Sequence, residues 1–138
     1  VSVKKFRFDN GCVPLKIVVK SSKMATESPK AQGENTIDLF RVSENELTLL
    51  EKEGASNMFP KNDQFTTPNG QEGMKTHGTA NYRFGSKKTS DAEFIILGFS
   101  NQALLQQLIM IWDANDPYAV EISKRILNSV ELIKLNQN

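Results

Sequence analysis

The chain holds one histidine and one cysteine, which narrows the side-chain chemistry open to it. His77 stands in Lys75-Thr76-His77-Gly78-Thr79, on or near a strand. As a general base it would need a carboxylate to orient its ring and a nucleophile within reach. The simpler reading is a strand histidine paired with its neighbours. Cys12 follows a turn beside a basic strand, where positive charge would favour the thiolate. A lone cysteine is more commonly a small buried hydrophobe. Together the two could form the dyad of a small hydrolase, although no residue pattern supports one. A single histidine excludes paired-histidine zinc motifs within the chain, and a single cysteine excludes an intramolecular disulfide framework or a multi-cysteine metal site.

Three other groups carry functional residue types. Asp113-Ala114-Asn115-Asp116 clusters oxygen atoms of the kind calcium needs. Pro117 follows directly, however, so Asp116 reads more economically as a helix cap. Asn69-Gly70-Gln71-Glu72-Gly73 lacks the Lys-Ser/Thr of a phosphate loop and reads as a turn. Lys4, Lys5 and Arg7 alternate with Phe6 and Phe8, and Lys87-Lys88 follow Phe84. Stacking platforms for single strands of nucleic acid combine such residues, but alternating Phe on a strand is usually its core face. Trp112 and Tyr118 bracket a helix entry, and packing is the default for both. No catalytic, cofactor-binding or metal-binding residues are expected from this inventory, and no cofactor.

The elements that would position these residues are mostly strands. Val3–Phe8 has aromatics two apart, Asp9-Asn10-Gly11 is a hairpin signal, and Leu15–Val19 continues as a β-branched run behind Pro14. Ser21–Asn35 and Pro60–Glu72 read as long polar loops, candidate sites of flexibility or binding. Ile37–Val42 is expected as a short strand. Ser43-Glu44-Asn45-Glu46 then reads as a capping box opening a helix over Glu44–Glu53, stopped by Gly54. Met74–Phe84 and Glu93–Phe99 are expected strands, the second buried on both faces. Leu104–Trp112 fits a strand or a helix; a strand paired with Glu93–Phe99 is the reading taken. After Asp116-Pro117, the residues Ala119, Ile122, Ile126, Leu127 and Val130 form one apolar helical stripe. A short strand over Glu131–Leu135 is expected to follow. The sum is an α+β fold, a central antiparallel sheet with helices packed on its faces.

With 138 residues the chain is expected to be a single domain, 1–138, large enough to bury a core without staples. Seventeen basic residues against 16 acidic give a formal charge of +1, which offers no whole-chain argument for nucleic acid or an anionic membrane. The charge is uneven along the chain. Residues 1–30 hold seven basic residues against Asp9 and Glu27, and residues 31–74 hold eight acids against Arg41, Lys52 and Lys61. Opposed segments can complement each other inside one fold or face partners.

The C-terminal third carries a layout of its own: a long apolar strand pair ending at Trp112-Asp113, a Pro-Tyr helix, then Ile126-Leu127-Asn128-Ser129-Val130-Glu131-Leu132. Over residues 93–132 it resembles the PsbP-like superfamily, which includes the DcrB-type bacterial lipoproteins. The resemblance rests on hydrophobic positions plus Asn128-Ser129, and the Gly-Trp that many members carry near the N-terminus is replaced by Val13-Pro14-Leu15. It implies an α-β-α sandwich. It also implies a non-catalytic accessory or ligand- and partner-binding domain of the cell envelope. Such a domain would be extracytoplasmic or periplasmic, with a membrane tether through an N-terminal segment removed ahead of Val1. A protein partner is expected, and no nucleic acid. The competing reading is a cytosolic partner-binding inhibitor or immunity-type protein, suited by opposed charge blocks and a reduced cysteine.

Overall fold

A computed structural model describes residues 3–9, 13–23, 39–66, 72–85, 88–101 and 104–136. The described residues form six strands and two helices in the order β1 (Val3–Asp9), β2 (Leu15–Lys23), α1 (Leu39–Lys52), β3 (Ser56–Thr66), β4 (Glu72–Arg83), β5 (Thr89–Asn101), β6 (Leu104–Asp113) and α2 (Pro117–Asn136). The strands form one antiparallel sheet in the order β1-β2-β6-β5-β4-β3. β5 and β6 are its centre, which explains their unbroken apolar runs: both faces of each are covered. Leu104–Trp112 is therefore a strand, with Ile109, Met110 and Ile111 all buried.

Period-two alternation sorts the side chains into two cores. On one face Val18, Ile109, Ile111, Phe94, Ile96, Ala80, Tyr82 and Phe84 pack with Leu50 of α1. On the other, Leu15, Ile17, Leu108, Met110, Trp112, Ile95, Leu97 and Phe99 pack with Ala119 of α2, with Ile122, Ile126 and Leu127 behind it. The α+β architecture, a helix on each face of an antiparallel sheet, is the one expected.

Local rules account for the helix ends. Asp116 Oδ1 accepts from the amides of Tyr118 and Ala119 at 3.0 and 3.1 Å, a true N-cap. α1 closes with the paired bonds Ala55 N–H to Leu50 C=O and Gly54 N–H to Glu51 C=O, with Gly54 at φ 116°. That is the Schellman arrangement, and a positive φ there suits glycine.

Six expectations are corrected. Residues 39–42 of the expected strand Ile37–Val42 are the first turn of α1. Leu39, Val42, Ser43, Glu46, Leu47 and Leu50 recur at helical spacing, so Ser43 is no cap but a buried small residue one turn inside. Pro60–Thr66, expected as loop, belongs to edge strand β3, and Ser21–Lys23 extend β2. β3 tolerates Pro60 because an edge strand has a free side, and the proline, Lys61 and a bulge between Ser56 and Phe59 blunt that edge against further pairing. The expected strand Glu131–Leu135 is a continuation of α2. Finally, Tyr118 is 64% exposed rather than packed.

Two features tie β3 and α1 to the sheet. A Cβ on Gly78 would lie 2.1 Å from the Phe59 carbonyl oxygen, so only glycine lets the bulged β3 backbone cross here. Asn57 takes φ 51° within the bulge, and its side chain donates to Asn81 Oδ1 at 2.7 Å. Beneath α1, Lys16 Nζ pairs with Glu53 and donates to the Tyr82 hydroxyl at 3.2 Å. Beside it, Lys20 pairs with Glu46 at 2.6 Å, and Glu46 also accepts from Gln107 Nε2 at 3.2 Å. The basic β2 and acidic α1 thus spend part of their opposed charge on each other.

Candidate functional site

The face bearing α2 is only partly covered. Register aligns its residues in rows across the strands: Phe59–Thr79–Glu93–Trp112, then Lys61–His77–Ile95–Met110, then Asp63–Lys75–Leu97–Leu108. The β6 ends of these rows are apolar and lie under α2. The β3 and β4 ends are charged, aromatic or hydroxylic, and they border a cleft of about 500 Å³. Its lining includes Phe59, Lys61, Lys75, His77, Thr79 and Glu93, with Trp112 at the inner end.

Alternation puts these side chains on one face, and local pairing sets their aim. The His77 ring bonds diagonally to Asp63 Oδ2 at 2.9 Å, not straight across to the cation of Lys61. Glu93 accepts from the Trp112 indole N–H at 3.2 Å, which satisfies that donor where the ring enters the core. Lys61 and Lys75 have no described acid as an ion-pair partner. Phe59 is 69% exposed, the most open of the large apolar side chains among the described residues.

His77 therefore has the orienting carboxylate that base chemistry requires, in Asp63. Among the described residues no hydroxyl nucleophile joins the pair. Cys12, the other half of the candidate dyad, lies outside the described residues, as does most of Asn69–Gly73. Asp113 Oδ1 accepts from the Asn115 amide at 2.8 Å and Asp116 caps α2, so both carboxylates of the candidate calcium loop serve the backbone. Among the described residues no group of three or more His, Cys, Asp or Glu side chains converges. Phe84 is buried and meets Tyr82 edge-on, with ring centroids 4.8 Å apart, so it does not stack outward beside the exposed Lys88. β1 pairs with β2 so that Phe6 faces Val19 and Phe8 faces Ile17 across the ladder.

Sequence reasoning singled out His77 and Trp112 but not Phe59, Lys61, Asp63, Lys75 or Glu93. Their signal was the alternation Phe59-x-Lys61-x-Asp63 against Lys75-x-His77-x-Thr79, hidden because Pro60 marked the first segment as loop.

Fold and cleft together define an α+β sheet domain with one half-open face. No family model matches the sequence, and no curated protein matches it. Among solved structures, the chain is similar to a Pseudomonas aeruginosa protein of unknown function (PA94, a candidate regulator). Identity is 8% and the TM-score 0.46, over 94% of this chain and 78% of that one.

Proposed function

We propose that the chain is a non-enzymatic, partner-binding accessory domain of the cell envelope that engages its partner through the half-open face over β3 and β4. The observation that carries the binding reading is the cleft itself. An exposed Phe59, two lysines without a described acid partner and an indole at the inner end are grouped on one face of the sheet. A pocket combining an apolar wall with a few convergent polar groups is the usual form of a recognition site. The envelope assignment draws on the PsbP-like resemblance of residues 93–132. Among the described residues no helix is long and apolar enough to cross a membrane.

A photo-crosslinking amino acid at position 59, introduced in the native host, tests the reading, with the equally open Tyr118 as control position. The expected result is a discrete adduct from position 59 alone that fractionates with the envelope. An adduct confined to the cytosol would replace the envelope assignment with the inhibitor reading. No adduct from position 59 would overturn the binding face.

A further inference from the structure

We infer that the cleft is built for an acidic, apolar-bearing peptide segment of a protein partner, an inference that rests on the binding face just proposed. The cleft lining holds two lysines and one carboxylate, Glu93, already engaged by the Trp112 indole. Asp63 stands outside that lining and is engaged by His77. The donors left without a described partner are therefore the ammonium groups of Lys61, directly across the ladder from His77, and of Lys75, two residues along β4 in the next row. Within the lining two ammonium groups stand against one carboxylate, an excess of positive charge that favours an anionic ligand by attraction.

The apolar requirement comes from the same row geometry. Phe59 and Trp112 stand at the two ends of Phe59–Thr79–Glu93–Trp112. Three strand spacings separate them, about 14 Å at roughly 4.8 Å per strand. A ligand whose apolar part lies along that row against Phe59 has Lys61 one row away and Lys75 two rows away, on the same side, for its acid. A free-standing inorganic anion would use the lysines and leave Phe59 in water. A cleft that keeps an exposed aromatic beside unpaired lysines is matched to a ligand with both parts. A peptide, rather than a small organic acid, suits the openness of the cleft towards β3, where an extended segment can run past the edge without pairing to it.

Two probes of nearly the same shape separate the parts: 8-anilinonaphthalene-1-sulfonate, an arylamine anion, and N-phenyl-1-naphthylamine, its neutral counterpart. Energy transfer from Trp112, the only tryptophan, reads the binding of either. The anion is expected to bind on the order of tenfold more tightly. Lys61→Gln/Lys75→Gln should erase that preference while keeping the neutral probe bound, and a short peptide alternating Glu and Leu should displace the anion where one alternating Lys and Leu does not. Equal affinity for the two probes, both sensitive to Phe59→Asp, would overturn the acidic inference and leave the binding face standing. Anion binding unaffected by the Glu-Leu peptide would overturn the peptide occupant in favour of a small acid. No binding of either probe, or binding indifferent to Phe59→Asp, would overturn the binding face itself. Both lysines are solvent-accessible side chains, and a matched urea transition in the double variant shows that the fold is kept.

Discussion

Replacing Glu46 and Lys20, singly and together, tests how α1 is held to the sheet. The Glu46 side chain is 10% exposed and that of Lys20 16%, and Gln107, which also donates to Glu46, is buried. Breaking a buried pair by removing one partner costs about 3–5 kcal/mol, because the survivor is left desolvated and uncompensated. The two survivors differ in their escape routes. Lys20→Met leaves a short buried carboxylate with only Gln107, so a loss of about 3 kcal/mol is expected. Glu46→Leu leaves a lysine whose flexible stem can carry its amine to water, plus an unmet Gln107 amide, so about 2 kcal/mol is expected. The double variant swaps the pair for apolar contacts of similar volume and should return to within about 1 kcal/mol of the parent. The coupling energy between the sites is then about 4 kcal/mol or somewhat more. Urea unfolding followed by Trp112 fluorescence and far-ultraviolet circular dichroism reads all four proteins, and thermal melts should move by roughly 3 °C per kcal/mol. Additive single-variant losses, with coupling below about 0.5 kcal/mol, would refute the reasoning. The ion pair would then be a solvated surface contact, and α1 would be held chiefly by the packing of Leu47 and Leu50.

Two further stability outcomes follow from the backbone. Gly78→Ala should lower stability by about 2–4 kcal/mol, since its Cβ would meet the Phe59 carbonyl, whereas Gly98→Ala, whose Cβ would only touch Leu39 Cδ2 at 3.6 Å, should be neutral or slightly stabilising in the same urea series. Asp116→Ala removes the acceptor for two amides at the start of α2 and should cost about 1 kcal/mol, with Asp116→Asn recovering most of it.

Much of this protein is legible from local chemistry. Asp116-Pro117 starts α2 and Gly54 ends α1 because capping depends on a few neighbouring atoms. The double-sided burial of β5 could be read from Ile95-Ile96-Leu97, because a central strand needs apolar residues at successive positions. The errors came where tertiary contact reassigns a polar residue. Ser43 and Glu46 read as a cap because both are polar, yet they face the sheet, where Lys20 and Gln107 wait for the carboxylate. Pro60 reads as a loop breaker until the edge position of β3 and the missing side chain of Gly78 make room for it.

The class of fold and the residues able to form its cores follow from local pattern, since hydrophobic period and capping act within a few positions of the chain. Tertiary structure alone decided the strand order and the ladder register, and with them the cleft. Phe59, His77 and Trp112 become neighbours only when strands far apart in sequence align across one face, and a one-residue slip would turn all of them to the other side.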